Sequence, residues 1–128
     1  MSVAAFLVED SPTIRDELIP ALRELANVRV LGFAEGEREA TQWLKAHGAT
    51  CHLAVVDLFL KEGSGLGVIG ACKDTHTPPH IVMLTNYATT EIRRQALALG
   101  ADAVFDKSTE LMELFAYCSR IGSSSDLH

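Results

Sequence analysis

"VVDLFL", residues 55–60, runs a hydrophobic segment into a carboxylate and then returns at once to apolar residues. Leu53, Ala54, Val55 and Val56 lead up to Asp57, and Leu58, Phe59 and Leu60 follow it. A short continuous apolar run bounded by polar residues reads as a strand buried on both faces. A carboxylate at the lip of such a strand costs free energy unless something compensates it. The fold and the purpose of Asp57 are therefore one question.

Comparable runs lie on either side. "VAAFLV" (3–8), "VRVLGFA" (28–34), "LAVV" (53–56), "IVML" (81–84) and "AVF" (103–105) recur at intervals of about 22 to 28 residues. Segments of helical period separate them. Ser11 can cap a first helix with Pro12 at its opening position. Ile14, Leu18, Leu22 and Leu25 form its apolar stripe, with Arg15, Asp16, Arg23 and Glu24 on the other face. Pro20, which costs about 3 kcal/mol in a regular helix interior, predicts a kink. Ala40, Trp43, Leu44 and His47 share a second stripe that stops at Gly48. Ile92, Ala96 and Leu99 share a fourth ending at Gly100, and Leu111, Leu114, Phe115 and Cys118 a fifth. The helix around Leu66 to Lys73 is the weakest, since Gly67 and Gly70 each cost about 1 kcal/mol relative to alanine.

Strand then helix, five times over, with near-continuous apolar strands, indicates an α/β fold: a doubly wound parallel sheet with helices on both faces. The run containing Arg29 and the short fifth run look like edges, which suits a flavodoxin-like (βα)5 arrangement with strand order 2-1-3-4-5. The 128 residues suit one domain. Residues 1–121 are expected to form it, with 122–128 a flexible C-terminal tail.

Composition excludes several classes of function. Apolar residues make up 48% and charged residues 22%, as in a globular soluble protein. A formal charge of −6 repels phosphate backbones and anionic membranes, so direct nucleic-acid or membrane binding is not expected. Cys51, Cys72 and Cys118 are widely spaced and form no Cys-x-x-Cys, which reads as reduced, structural thiols in a cytoplasmic protein. No stretch approaches the roughly 20 apolar residues of a membrane span.

In a parallel sheet all strands point the same way, so the residues just past each run converge at one edge. These are Glu9 and Asp10, Asp57, Thr85, and Asp106 with Lys107. Two like charges about 4 Å apart repel by about 4 kcal/mol at an effective dielectric of 20. Glu9, Asp10 and Asp57 therefore need a cation, and an all-oxygen donor set beside an anion site favours Mg²⁺. With Mg²⁺ and Lys107 positive, Asp57 can act as a carboxylate nucleophile forming an aspartyl phosphate, with Thr85 donating a hydrogen bond.

The residues "VEDS" (8–11), "VVDLFLKEGSGL" (55–66), "MLT" (83–85) and "GADAVFDKS" (100–108) make the chain resemble a response-regulator receiver domain of two-component signalling. The resemblance covers nearly the whole length. It implies phospho-acceptance at Asp57 and metal ligation by Asp10, Asp57 and the backbone carbonyl of Phe59, with Glu9 acting directly or through water. It implies phosphoryl contacts from Thr85 and Lys107, and places Gly65 and Leu66 in the loop opening the third helix. The implied donor is a sensor histidine kinase or histidine phosphotransfer protein, and the implied reader a downstream effector protein. Such a domain assists only its own phosphorylation and dephosphorylation and is otherwise not an enzyme. With about seven residues after the last helix, a stand-alone regulator, monomeric or weakly dimeric, is the expectation.

Departures from the family pattern carry their own expectations. Ser108 follows Lys107 where a cis proline is usual, predicting a trans bond and a cap for the last helix. Val104 stands where the family often has a mobile aromatic, and Phe105 points to the opposite face. Asn86 replaces a small residue. Phe59 and Tyr87, each two residues past a site residue, are bulky and predict slow phosphoryl hydrolysis. Lys61 replaces the common loop proline, predicting a more mobile loop.

Other readings carry less. A haloacid-dehalogenase-type phosphatase wants an acid where Phe59 stands, and the acidic "EDSPTIRD" would repel a flavin phosphate. A phosphorylation-independent receiver serving as a protein-interaction module is the alternative. His76 and His80 are separated by Pro78 and Pro79, which prevent a helical metal site. Gly63, Gly65, Gly67 and Gly70 lack the Gly-Lys-Ser/Thr ending of a phosphate loop. Arg93 and Arg94 read as a solvated helix face.

Overall fold

A computed structural model describes residues 2–74 and 78–123 of the chain. Strands β1 (Val3–Val8), β2 (Val28–Ala34), β3 (Leu53–Val56), β4 (His80–Thr85) and β5 (Ala103–Asp106) alternate with helices α1 (Pro12–Ala26), α2 (Glu37–His47), α3 (Gly65–Lys73), α4 (Thr90–Leu99) and α5 (Leu111–Ser123). The strands form one parallel sheet in the order β2-β1-β3-β4-β5. This is the doubly wound, flavodoxin-like (βα)5 arrangement that the spacing of apolar runs predicts.

Strand periodicity divides the core into two layers. Phe6, Val8, Ala54, Val56, Ile81, Met83 and Val104 face α2, α3 and α4. Val3, Ala5, Leu7, Leu53, Val55, Val82, Leu84 and Phe105 face α1 and α5. Val104 and Phe105 thus lie on opposite faces, as strand alternation requires. The outer layers leave the carboxyl edge of the sheet uncovered by helices, and the βα loops occupy it.

The first helix corrects its expected stripe. Arg15, Leu18, Leu22 and Ala26 are buried, while Leu25 is 60% exposed. Spacings of three, four and four satisfy helical period as well as the stripe through Ile14 does, and the charge on Arg15 hid this solution. The helix runs unbroken through Pro20, and the Ser11 hydroxyl caps it by accepting from the Ile14 N–H. Trp43 stacks between Phe6 and His47, with ring centroids 4.0 and 4.3 Å away.

The third helix forms despite its glycines because Ser64 caps it and Val68, Ile69 and Cys72 are buried against the sheet. The loop before it is not loose. Lys61 donates its backbone N–H to the Glu35 carbonyl at 2.9 Å, a bond that a proline could not make. Glu37 N–H donates to the Glu62 carbonyl, and Ser64 N–H to Glu37 Oε1, each at 2.9 Å. Where a proline would have no donor, the Lys61 amide thus ties this loop to the loop that follows β2. His76 lies outside the described residues. Of the expected C-terminal tail, Gly122 and Ser123 belong to α5, and residues 124–128 lie outside the described residues.

Candidate functional site

Backbone pairing brings the strand ends into register at one rim. Glu9 N–H donates to the Ala34 carbonyl, Asp57 N–H to Val8, and Lys107 N–H to Thr85, at 3.0, 2.9 and 3.1 Å. Glu9, Asp10 and Asp57 follow directly from this, each projecting just beyond a strand. One carboxylate oxygen from each lies within 4.8 Å of the others.

Lys107 joins the group from the far side of the sheet. Its ammonium donates to Glu9 Oε1 at 2.6 Å and to Asp57 Oδ2 at 2.9 Å. The Ser11 N–H donates to the other Glu9 oxygen at 3.1 Å, and the Leu58 N–H to Asp57 Oδ1 at 2.7 Å. Thr85 is buried at the end of β4, its hydroxyl oxygen accepting from the Tyr87 N–H at 3.2 Å. Its hydroxyl proton remains available to a ligand.

These groups line an open cavity of about 320 Å³, with Phe59, Asn86 and Tyr87 on its walls. Phe59 and Tyr87 are both largely exposed and meet edge to face, with centroids 5.7 Å apart. Glu9, Asp10, Asp57, Phe59, Thr85 and Lys107 therefore meet at this one cavity, whereas Asp106, expected at the same rim, does not line it and accepts the Ser108 N–H instead. The floor is formed by close backbone packing: a Cβ on Gly65 would overlap the Asp57 carbonyl oxygen. Only glycine allows α3 to begin there.

The charges are not balanced within the protein. Burial raises the Glu9 pKa most, and the Asp57 charge adds to it, against the hydrogen bonds from Lys107 and Ser11. Burial lowers the Lys107 pKa, but its hydrogen bonds and ion pairs with Glu9 and Asp57 outweigh that and hold it above the ordinary lysine value. One ammonium thus faces three carboxylates. An all-oxygen site with this deficit fits a hard divalent cation and leaves room for an anionic ligand beside it.

Three charged residues near the site escaped the reading of the sequence. Arg15, from α1, donates Nη1 to the Glu9 carbonyl at 2.8 Å and to Glu35 Oε2 at 2.9 Å. Arg93 is a structural bridge, unlike its neighbour Arg94, which pairs with Glu91 on an exposed face. The buried stripe of α1 could have revealed Arg15. Glu35 and the role of Arg93 depend on contacts remote in sequence.

Ser108 does not cap α5. Its N–H donates to Asp106 Oδ1 at 2.7 Å, and its hydroxyl to Asn86 Oδ1 at 2.9 Å, joining the loops that follow β4 and β5. The intervening Lys107–Ser108 bond is trans, as its lack of proline predicts; no cis bond occurs among the described residues.

The strand order together with an acidic rim closed by lysine defines a known class of signalling domain, and comparison with known proteins agrees. The family model described as "Response regulator receiver domain" matches residues 5–119, so the chain belongs to the response-regulator receiver family. It is 29% identical over 105 residues to the transcriptional regulatory protein CitB of Klebsiella pneumoniae, covering 82% of this chain and 43% of that protein. It is 30% identical over 87 residues to the sensory transduction protein LytR of Staphylococcus haemolyticus, covering 68% of this chain and 33% of that one. The chain therefore spans less than half the length of these two relatives. Its fold matches the signal receiver domain of the response regulator NarL from Mycobacterium tuberculosis with a TM-score of 0.80. That match covers 93% of this chain and 97% of the other at 24% identity.

Proposed function

We propose that the chain accepts a phosphoryl group on Asp57 from the phosphohistidine of a sensor kinase or phosphotransfer protein, and thereby switches a protein-binding surface. The observation that carries this reading is the Lys107 ammonium shared between Glu9 and Asp57 inside a cluster of three carboxylates. A purely structural ion pair needs one acid for one lysine. The excess of acid suits a site that binds a further cation.

Mg²⁺ fits this donor set, with Asp10, Asp57 and the Phe59 carbonyl as proposed ligands and Glu9 acting directly or through water. When bound, Mg²⁺ supplies charge neutralisation for phosphoryl oxygens. The protein's own groups do the rest. The Leu58 N–H orients the Asp57 carboxylate. An Asp57 oxygen forms the new bond to phosphorus as the phosphorus–nitrogen bond breaks and its electron pair returns to imidazole. Lys107 leaves the carboxylate to pair with a phosphoryl oxygen, and the Thr85 hydroxyl donates to another.

Movement of Thr85 and Lys107 would pull on the Asn86–Ser108 bond and so on the surface formed by α4, β5 and α5. A downstream effector protein would read that surface. In this reading the domain acts on no separate substrate, works in the cytoplasm, and is monomeric or weakly dimeric. The net charge of −6 supports a protein partner over nucleic acid or membrane. No described helix is long and apolar enough to cross a membrane.

Incubation with phosphoramidate or acetyl phosphate and Mg²⁺ tests the proposal. Intact mass should rise by one acid-stable, base-labile phosphoryl group, and Asp57→Ala should abolish the gain. No gain in the wild-type chain would favour a binding module that works without phosphorylation.

A further inference from the structure

We propose that Arg15 and Glu35 are positioning residues for divalent-cation binding, bracing the two loops that carry the ligands without touching the ion themselves. The inference rests on the metal site described above. Its own evidence is a separate set of contacts.

Arg15 is an arginine 91% removed from solvent in the first turn of α1, 9% remaining exposed. Its Nη1 is shared between the Glu9 carbonyl and Glu35 Oε2, and its guanidinium lies 3.9 Å from the centroid of the Phe33 ring. Glu9 N–H meets the Ala34 carbonyl, so the backbone of Glu9 is held on both sides by the end of β2 and by Arg15. Glu35 then reaches the other loop. Its carbonyl accepts the Lys61 N–H, two residues beyond Phe59, and its carboxylate lies 3.9 Å from the Lys61 ammonium.

The contacts therefore run from Glu9 through Arg15 and Glu35 to Lys61. They join the loop presenting Glu9 and Asp10 to the loop presenting Asp57 and the Phe59 carbonyl. Mg²⁺ tolerates little deviation from octahedral geometry, so the separation of these loops governs affinity. Arginine suits the task because its flat guanidinium lies over the Phe33 ring while Nη1 reaches both acceptors, whereas a lysine ammonium has no flat face to stack.

Electrostatics alone predicts the opposite effect for one substitution, and this separates the two explanations. Arg15→Met removes a positive charge near the acids, which by charge alone would tighten cation binding. Loss of the brace would weaken it. Mn²⁺ titrated into the full chain, followed by the electron paramagnetic resonance of the free ion, gives the affinity directly. Melting curves without metal identify which variants are folded.

Arg15→Met should weaken Mn²⁺ binding about 10-fold or more, the scale seen when partners of metal ligands are removed. Arg15→Lys, with unchanged charge, should also weaken it. Unchanged or tighter binding in folded Arg15→Met overturns the proposal. Should that variant fail to fold, unchanged binding in folded Arg15→Lys overturns it equally. If the wild-type chain binds no Mn²⁺, or Asp10→Asn binds as well as wild type, the metal site itself fails and the brace falls with it. Wild-type binding that depends on Asp10 but ignores Arg15 defeats the brace alone.

Discussion

Arg93 Nη1 donates to the carbonyl of Val104 at 3.0 Å, tying α4 to the strand position where the family often carries a mobile aromatic. The same guanidinium donates to the Ala88 carbonyl at 3.1 Å and to Glu110 Oε1 at 2.6 Å, and that oxygen also accepts the Asp106 N–H. The loops leading away from Thr85 and Lys107 are therefore fastened by one side chain. Arg93→Ala should lower unfolding free energy by about 1–3 kcal/mol, the scale of lost hydrogen bonds that leave acceptors unsatisfied. Urea denaturation measures it, and amide exchange should quicken at 86–89 and 107–110.

Gly65→Ala should be more damaging than an exposed glycine-to-alanine change in a helix, which is ordinarily stabilising. The added carbon meets the backbone oxygen of Asp57, and backbone cannot swing aside as a flexible side chain can. We expect a loss of about 2 kcal/mol or more from this overpacking, with slower phosphorylation by phosphoramidate in whatever fraction remains folded. A stability equal to wild type would show that α3 can shift away from Asp57 at little cost.

Phe59 and Tyr87 line the cavity that holds Asp57 and meet edge to face, and the prediction is that their rings screen Asp57 from hydrolytic water. Phe59→Asn should shorten the lifetime of the phosphorylated protein several-fold, because a smaller amide admits and can orient that water. Decay of the phosphorylated mass after removal of the donor provides the rate. A longer lifetime in Phe59→Asn would refute the shielding role.

Burial raises the thiol pKa of Cys51 and Cys72 to about 11 and that of Cys118 to about 12, from an ordinary value of 9.0. Each thiol therefore ionises more readily in the unfolded chain. This contribution to stability is complete below pH 9.0 and is lost as pH rises toward the folded values. Urea midpoints should stay level on this account from neutrality to about pH 9 and then fall, with a loss of about 2 kcal/mol for each thiol by pH 11. A midpoint level through pH 11 would contradict burial of the thiols.

Much of the site was legible before any coordinates, because parallel strands carry their terminal residues to a common edge whatever the details of packing. The meeting of Glu9, Asp10, Asp57, Thr85 and Lys107 at one cavity followed from that rule and from the spacing of apolar runs. The trans bond before Ser108 and the opposed faces of Val104 and Phe105 followed from backbone chemistry alone. These features depend on residues close in sequence or on the repeat of the fold.

What tertiary structure alone decided is which partner each polar group finds. Arg15 looked solvated because it is charged, yet Glu35, from the loop after β2, makes its burial tolerable. Ser108 had a helix to cap by local logic but found Asn86 instead. Lys61 looked like the loss of a rigid proline, whereas its amide gained an acceptor across the loop. Periodicity narrows which face of an element is apolar, since that depends on the element itself, though in α1 two stripes satisfied it and packing chose between them. The pairing of charges and amides depends on which loops the closed sheet brings together, and that is set only once all five strands are in place.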